Sequence, residues 1–195
     1  MSPKEDILKN IRQSRKDMSV NLIEFDHKSD NENLINKFYQ SLETSSASYV
    51  EFSEYNDASN IIKSQLPDHS LCVNTIDQIA IESLNISEID DPKSLHPLDI
   101  SIIRGEFGVA ENGAIWVNAG ELPFRILPFI CENLVVILNK RNIVGDMHEA
   151  YKRTDKLDYS FGVFITGPSK TADIEQTLVV GAQGPRKMLV LIKDD

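Results

Sequence analysis

The sequence predicts an α/β fold in three layers, α/β/α, with a mostly parallel sheet and an amino-terminal helical arm. Apolar runs alternate with helical patterns after residue 45, as in parallel α/β domains. Several of these runs are continuously aliphatic, which is typical of strands buried on both faces. The first 45 residues are polar and helical in pattern. We therefore divide the chain into an arm, residues 1–45, and an α/β domain, residues 46–195.

The arm is expected to contain two helices. Apolar residues recur at helical spacing over residues 4–15 and again over residues 31–43. Residues 20–29 lie between them and predict an irregular connector. Because the apolar stripes are narrow and the charge density is high, we expect the arm to be loosely attached.

The remaining elements follow in alternation. Strands are predicted over residues 47–52, 70–74, 99–104, 114–118, 134–138, 162–166 and 188–192. Helices are predicted over residues 57–65, 77–84, 144–156 and 172–180.

Composition and charge exclude several classes of protein. The 195 residues include 30 Asp and Glu against 20 Lys and Arg, which gives a net charge of −10. This charge repels phosphate backbones and anionic lipids, so we expect neither nucleic-acid nor membrane-surface binding. The first residues lack an apolar leader, and no run approaches 18 apolar residues. A cytoplasmic protein is expected.

Cysteine and histidine usage argues against a metal or disulfide centre in this chain. Only two cysteines occur, Cys72 and Cys131, and they are far apart in sequence. A disulfide framework, a CxxC redox centre and a four-cysteine cluster are thereby excluded for this chain alone. The four histidines show no HxH or HxxxH spacing, so no zinc site is expected.

The first candidate site is a turn between a predicted strand and a predicted helix. Gly167 begins the turn, and Thr171 can cap a helix whose first turn contains Asp173. Free amides at such a helix start, with donors from Ser169, Lys170 and Thr171, would form an anion site. The alternative is that these residues only cap the helix and complement its dipole.

The second candidate site lies in the glycine-rich segment 105–117. Asn112-Gly113 between two apolar stretches predicts a β-hairpin with a type I′ turn. Glu106 and Glu111 flank the predicted strand end, where a carboxylate can act as base, nucleophile or acceptor for a substrate hydroxyl. A hairpin and a site are compatible.

The third candidate site precedes the last predicted strand. Gly181 can end the preceding helix, and Gly184 begins a tight turn. Gln183 and Arg186 can then reach the same place as Lys170, although a plain loop is the alternative. Since α/β sheets bind ligands beyond the carboxyl ends of their strands, we expect all three turns at one such rim.

Three sequence blocks together resemble the LUD-domain family. They are GVAENG at 108–113, ITGPSKTADIE at 165–175 and GAQGP at 181–185. The resemblance implies the fold shared by glucosamine-phosphate isomerase, ribose-phosphate isomerase and CoA transferases. It also implies a role in oxidising L-lactate to pyruvate, with iron–sulfur clusters on partner subunits and none in this chain.

The chain departs from that family's usual pattern at two positions. Gln183 and Cys131 stand where the family has histidines, and glutamine cannot titrate. The triplet beginning at Glu111 resembles the Glu-Asn-Gly of CoA transferases, whose glutamate forms an acyl thioester with CoA. Two alternatives therefore stay open: a CoA-transferase-like enzyme with Glu111 as nucleophile, or a non-catalytic scaffold subunit.

The leading expectation is a subunit of an iron–sulfur lactate-oxidising system, a component of a lactate oxidoreductase. It would bind a small organic acid or a nucleotide-like anion at the strand carboxyl ends. Ser169, Lys170 and Thr171 would hold the anionic group, and Glu106 and Glu111 would contact the ligand's polar centre. The other residues expected to bind ligand are Asn112, Gly113, Gly167, Asp173, Gln183 and Gly184.

Overall fold

The computed structural model describes residues 3–14, 33–66, 71–172, 178–181 and 184–194. The helices are α1 (Pro3–Ser14), α2 (Leu34–Thr44), α3 (Tyr55–Gln65), α4 (Leu127–Ile130) and α5 (Met147–Thr154). The strands are β1 (Ser48–Phe52), β2 (Cys72–Asn74), β3 (Leu98–Arg104), β4 (Phe107–Val109), β5 (Ile115–Val117), β6 (Cys131–Asn139), β7 (Ile143–Val144), β8 (Val163–Ile165), β9 (Lys170–Ala172), β10 (Leu178–Val180) and β11 (Lys187–Lys193).

Five parallel strands form the central sheet, in the order β1-β11-β6-β3-β2. The two long strands at its centre, β6 and β11, contain the continuous aliphatic runs that predicted burial on both faces. The last strand in sequence is inserted between β1 and β6. The predicted mostly parallel sheet is confirmed.

Helices and a second sheet cover the two faces of the central sheet. Alternate side chains such as Ile137 and Leu191 pack with Ile62 of α3, on what we call the α3 face. Val136 packs with Phe38 of α2 on the opposite side, the α2 face. The predicted three-layer α/β arrangement is thus confirmed, with a small sheet joining α2 in one outer layer.

That second sheet has four strands in the order β7-β4-β5-β8. β4 and β5 pair as an antiparallel hairpin, β7 is parallel to β4, and β8 is antiparallel to β5. Phe107, Trp116 and Ala150 form a small core between this sheet and α5. The predicted strands 114–118 and 162–166 therefore exist, but they belong to the second sheet.

Most elements agree with the sequence-based prediction, and α2 packs more firmly than its place in the arm suggested. Phe38 and Leu42 of α2 are fully buried in the α2-face core. The loose attachment expected for this helix is wrong, because its apolar stripe, although narrow, carries large side chains. The predicted connector 20–29 lies outside the described residues. In the part of the chain that the structure describes, every helix is too short or too polar to cross a membrane.

The helix predicted over residues 77–84 is wrong. The segment is an irregular loop held by Asn74 at the end of β2. The Asn74 Oδ1 accepts from the Ile76 N–H at 3.0 Å, and its Nδ2 donates to the Ile79 carbonyl at 2.9 Å. Ile76 and Ile79 are buried on the α3 face, so their spacing of three reflects two anchors of a loop.

The helix predicted over residues 172–180 is also wrong. β9 and β10 form an antiparallel pair in which Leu178 lies opposite Ala172, and residues 173–177 lie outside the described residues. The β-branched residues of Lys170–Ala172 and Leu178–Val180 favour strands. Thr171 is therefore a strand residue and caps no helix. Gly181 ends no helix either, because its N–H donates to the Ser169 carbonyl at 3.0 Å across the pair.

Candidate ligand site at the amino edge of the sheet

A cleft of about 490 Å³ opens where three neighbouring strands of the central sheet begin. Leu98 and Cys131 are the first residues of β3 and β6, and Arg186 directly precedes β11. Because the strands are parallel, their starts share one edge of the sheet, which we call the amino edge. The ends of β3, β6 and β11 form the opposite, carboxyl edge.

Two of the candidate segments meet at this cleft. The Ser169 N–H donates to the Pro185 carbonyl at 2.8 Å, while the Ser169 carbonyl accepts from Gly181. Gly181 and Gly184 both line the cleft. Backbone hydrogen bonds therefore join Ser169, in the block at 165–175, to the loop before β11. The predicted meeting of these two segments is found.

The polar side chains that line the cleft include Arg186, Glu132, Asp99 and His96. The Arg186 Nη1 lies 3.2 Å from the Glu132 Oε1, and both side chains remain at least half exposed. An exposed ion pair of this kind contributes little to stability. Arg186 can therefore exchange Glu132 for an incoming carboxylate or phosphate without a large loss of folding free energy.

Cys131 lines the cleft but is only 2% exposed. Burial raises the pKa of its thiol to about 12, and burial raises that of Cys72 to about 12 as well. Both thiols are therefore protonated near neutral pH, and a neutral thiol is neither a nucleophile nor a metal ligand. Within the described ranges, no group of three His, Cys, Asp or Glu side chains is placed to hold a metal ion.

Lys170 and Gly167 lie against the end of α2. The Lys170 Nζ donates to the Ser45 carbonyl at 2.7 Å. Gly167 has a φ of +67°, and a Cβ there would lie 2.2 Å from the same carbonyl oxygen, so only glycine fits. Lys170 thus hydrogen-bonds to the C-cap residue of α2. The predicted ligand contacts of Asp173 and Gln183 lie outside the described residues.

The predicted hairpin is confirmed, but the predicted type I′ turn is wrong. Four residues separate Val109 from its partner Ala114, where a type I′ turn has two. Gly113 has a positive φ of +71°, and Asn112 does not. The Asn112 Oδ1 accepts from the Ala114 N–H at 3.0 Å. The turn is longer because it packs on α2, where a Cβ on Gly113 would lie 2.9 Å from the Ser41 carbonyl carbon.

Glu111 is exposed and contacts the start of α5. Its Oε2 accepts from the Met147 N–H at 2.9 Å. The N-cap residue Asp146 accepts from the Glu149 N–H at 2.9 Å, so two carboxylates face this helix start. A negative charge there is stabilising, which gives Glu111 a structural role. Its role as a nucleophile stays a prediction.

Glu106 lies at the other edge of the sheet, two residues after the end of β3. The seven residues of β3 separate the two edges by about 20 Å. The expectation of one common site at the strand carboxyl ends is therefore wrong. Ser169 and Gly184 lie at the amino edge, since their segments precede β11, whereas Glu106 follows β3. Strand direction decides this. The histidine at the cleft, His96, was missed because its loop is distant in sequence from Arg186 and Gly184.

A model of the LUD domain matches residues 93–192, which is 100 of the 195 residues. The chain belongs to the LUD domain family. The matched region includes β3, β6, β11 and the segments that meet at the amino-edge cleft.

Curated relatives of this LUD-domain chain are similar over part of their length. A "Lactate utilization protein C" from Bacillus pumilus (strain SAFR-032) is 33% identical over 101 residues, covering 49% of this chain and 42% of that protein. A second protein of that name, from Geobacillus sp. (strain WCH70), is 33% identical over 103 residues, covering 50% and 43%. The chain thus spans less than half the length of the curated relatives it matches.

One solved structure is similar over most of the chain. It is the crystal structure of a DUF162 family protein from Deinococcus radiodurans, with a TM-score of 0.61 and 15% sequence identity. The match covers 83% of this chain and 97% of that one. The two proteins share the fold.

Proposed function

We propose that the chain is a subunit of a lactate utilization system in which iron–sulfur partner subunits transfer electrons and this chain binds an anionic ligand. Membership of the LUD domain family supports this, as do relatives named for lactate utilization. The observation that carries the ligand proposal is the joining of the Ser169 and Gly184 segments at one cleft.

The positions of the two cysteines support clusters on partner subunits. An iron–sulfur cluster takes about four thiolate ligands, and this chain has two cysteines. Cys72 in β2 and Cys131 in β6 are two strand spacings apart, about 10 Å, and pack into different cores. These two residues do not fit a cluster, which supports redox centres on other chains of the proposed system.

The size of the amino-edge cleft favours a nucleotide-like anion over a small organic acid. At about 490 Å³ it lies in the range typical of cofactor and drug-sized ligands, roughly 300–1,000 Å³. Arg186 supplies the cation, His96 a ring that can stack or hydrogen-bond, and Phe129 an apolar wall. We infer that a phosphate or carboxylate of the ligand displaces Glu132 from Arg186.

Growth of a deletion strain tests the pathway role. We expect the strain to fail on L-lactate and to grow normally on pyruvate. The wild-type gene and a Lys63→Gln variant should restore growth, since Lys63 is an exposed lysine of α3 that does not line the cleft. Arg186→Gln should restore it poorly. Normal growth of the deletion strain on L-lactate would rule out the proposed role.

Co-purification tests the partnership. A tagged chain expressed in its own host should bring down polypeptides that contain iron and acid-labile sulfide. The tagged chain purified from a host without those partners should contain neither. Cluster iron bound to the chain alone would contradict the proposal.

A further inference from the structure

The carboxyl edge of the central sheet holds a second, smaller pocket, of about 220 Å³. It lies where β3, β6 and β11 end, and the first residue of α3, Tyr55, forms one wall. Its polar side chains are Arg104, Glu106, Asn139, Asn142 and Lys193.

The strand pattern changes at this pocket. On the α3 face, each of the three strands follows its last aliphatic residue with a polar one: Ile102 precedes Arg104, Ile137 precedes Asn139, and Leu191 precedes Lys193. Lys193 lies opposite Asn139 in the parallel ladder, and Arg104 lies opposite Ile137. Because side chains alternate along a strand, these three polar groups share the α3 face.

The fold opens at this place. The chain leaves β1 into α3 on one face of the sheet, whereas it leaves β3 and β6 into the second sheet on the other face. Connections that diverge to opposite faces leave a crevice beyond the carboxyl ends of the strands, where α/β proteins bind ligands. The start of α3 adds the positive end of a helix dipole.

Two charged groups of this pocket have no partner among the residues that the structure describes. Arg104 and Glu106 make neither an ion pair nor a side-chain hydrogen bond there. The neighbouring Lys140 differs, since it contacts Glu51 at 2.9 Å and Asp194 at 3.1 Å. Unpaired charges of opposite sign in one small pocket are available to a ligand.

Two of the remaining polar groups, Lys193 and Asn139, are oriented by their neighbours. The Lys193 Nζ donates to the Asp194 carbonyl at 2.9 Å and lies over the Tyr55 ring, 6.0 Å from its centroid. Because an ammonium has three N–H groups, it can still donate to a ligand. The Asn139 Oδ1 accepts from the Arg141 N–H at 3.1 Å and from its Nε at 3.2 Å. The amide NH₂ of Asn139 is thereby left as a donor. Together with Arg104 and Glu106, these side chains offer two cations, an amide donor and one carboxylate acceptor.

We propose that this pocket binds a small carboxylic acid that also carries a hydroxyl group. Arg104 and Lys193 bind the ligand's carboxylate, because a guanidinium and an ammonium both donate to it with charge assistance. Glu106 accepts a hydrogen bond from the ligand's hydroxyl group. Its negative charge repels an anionic ligand that has no hydroxyl group to offset the repulsion. The pocket's chemistry carries this proposal, and only the use of L-lactate as the first probe rests on the proposed function.

Calorimetric titration of the full chain tests the site with matched acids. L-lactate should bind saturably, and propionate, which has the same carbon chain without the hydroxyl, should bind at least tenfold more weakly. Arg104→Gln should abolish binding of L-lactate. Glu106→Gln should reduce the preference for L-lactate over propionate to less than threefold. Lys63→Gln removes a charge elsewhere and should bind as the wild type does, and circular dichroism should show all variants folded.

Three results with these two acids would overturn the site. They are equal binding of L-lactate and propionate, an unchanged preference in a folded Glu106→Gln variant, and no binding of L-lactate. Inorganic phosphate that binds tighter than L-lactate and depends on Arg104 would show a plain anion site and would also overturn it. A lactate growth defect without binding here rejects the pocket and leaves the proposed function. Binding of L-lactate here, with normal growth of the deletion strain on L-lactate, supports the pocket and rejects the proposed function.

Discussion

The two edges of the central sheet differ in how they are built. At the amino edge, loops are joined by backbone hydrogen bonds, such as those of Ser169 with Pro185 and Gly181, and the cation Arg186 is paired with Glu132. At the carboxyl edge, strand-end side chains surround a smaller pocket, in which Arg104 and Glu106 are unpaired among the described residues. Two of the family's sequence motifs lie at the amino edge, whereas the carboxyl edge is distinguished by charged side chains without a partner among the described residues.

The comparison separates core residues from the proposed ligand-binding residues within a single strand. Ile100 and Ile102 in β3 are fully buried in the core, whereas Arg104 at its carboxyl end is exposed. Substitutions can therefore break the fold or the pocket independently, and the size of each effect is expected to follow position along the strand.

The largest effect is expected within β3. Ile102→Ala removes a fully buried side chain and should lower the free energy of unfolding by about 2–5 kcal/mol. Arg104→Gln, on the same face two residues later, should change it by less than about 0.5 kcal/mol, since Arg104 is exposed. Urea unfolding followed by circular dichroism measures both. Equal losses would show that Arg104 is a structural residue.

A smaller effect is expected at Glu111. Glu111→Ala removes the acceptor of the Met147 N–H and a negative charge at the start of α5, and should cost about 0.5–1 kcal/mol in urea unfolding. Glu54→Ala is the matched control, because Glu54 is the N-cap of α3 and its side chain makes no capping hydrogen bond.

The same glutamate discriminates between a structural role and covalent catalysis. Incubation with acyl-CoA and then hydroxylamine should leave Glu111 unmodified by mass spectrometry. A hydroxamate at Glu111 would establish the CoA-transferase-like alternative.

The smallest effect near neutral pH concerns the two cysteines. At pH 8, iodoacetamide should label Cys72 and Cys131 slowly in the folded protein and rapidly in urea, because burial raises both thiol pKa values to about 12. The unfolded thiols ionise near pH 9, so folding stability is retained below that pH and falls as the pH rises towards 12. Rapid labelling of folded Cys131 would show that the cleft exposes it.

Much of the fold could be predicted from the sequence, because the continuous aliphatic runs of β6 and β11 are typical of strands buried on both faces. The loop after β2 could not. Ile76 and Ile79 have helical spacing, but the Asn74 side chain satisfies the loop's backbone and fixes another conformation. β9 and β10 were missed because their pairing is a contact between segments, which local periodicity does not record.

The candidate sites depended on strand order and direction. The sequence grouped Glu106 with Ser169 because both follow predicted strands, yet β8 lies in the second sheet and its following turn reaches the amino edge. Arg104, Asn139 and Lys193 form one polar row once β3, β6 and β11 are known to be neighbours. In sequence they are three unrelated strand ends, so no local signal could have grouped them.

A nuclear magnetic resonance titration of the ¹⁵N-labelled full chain with L-lactate tests most directly whether the hydroxy acid binds at the carboxyl edge and not at the amino edge. We expect the amide signals of Gly105, Glu106 and Asn139 at the carboxyl edge to shift saturably, while those of Gly181 and Gly184 at the amino edge stay in place. Saturable shifts at Gly181 and Gly184, with none at Gly105 and Glu106, would contradict the account.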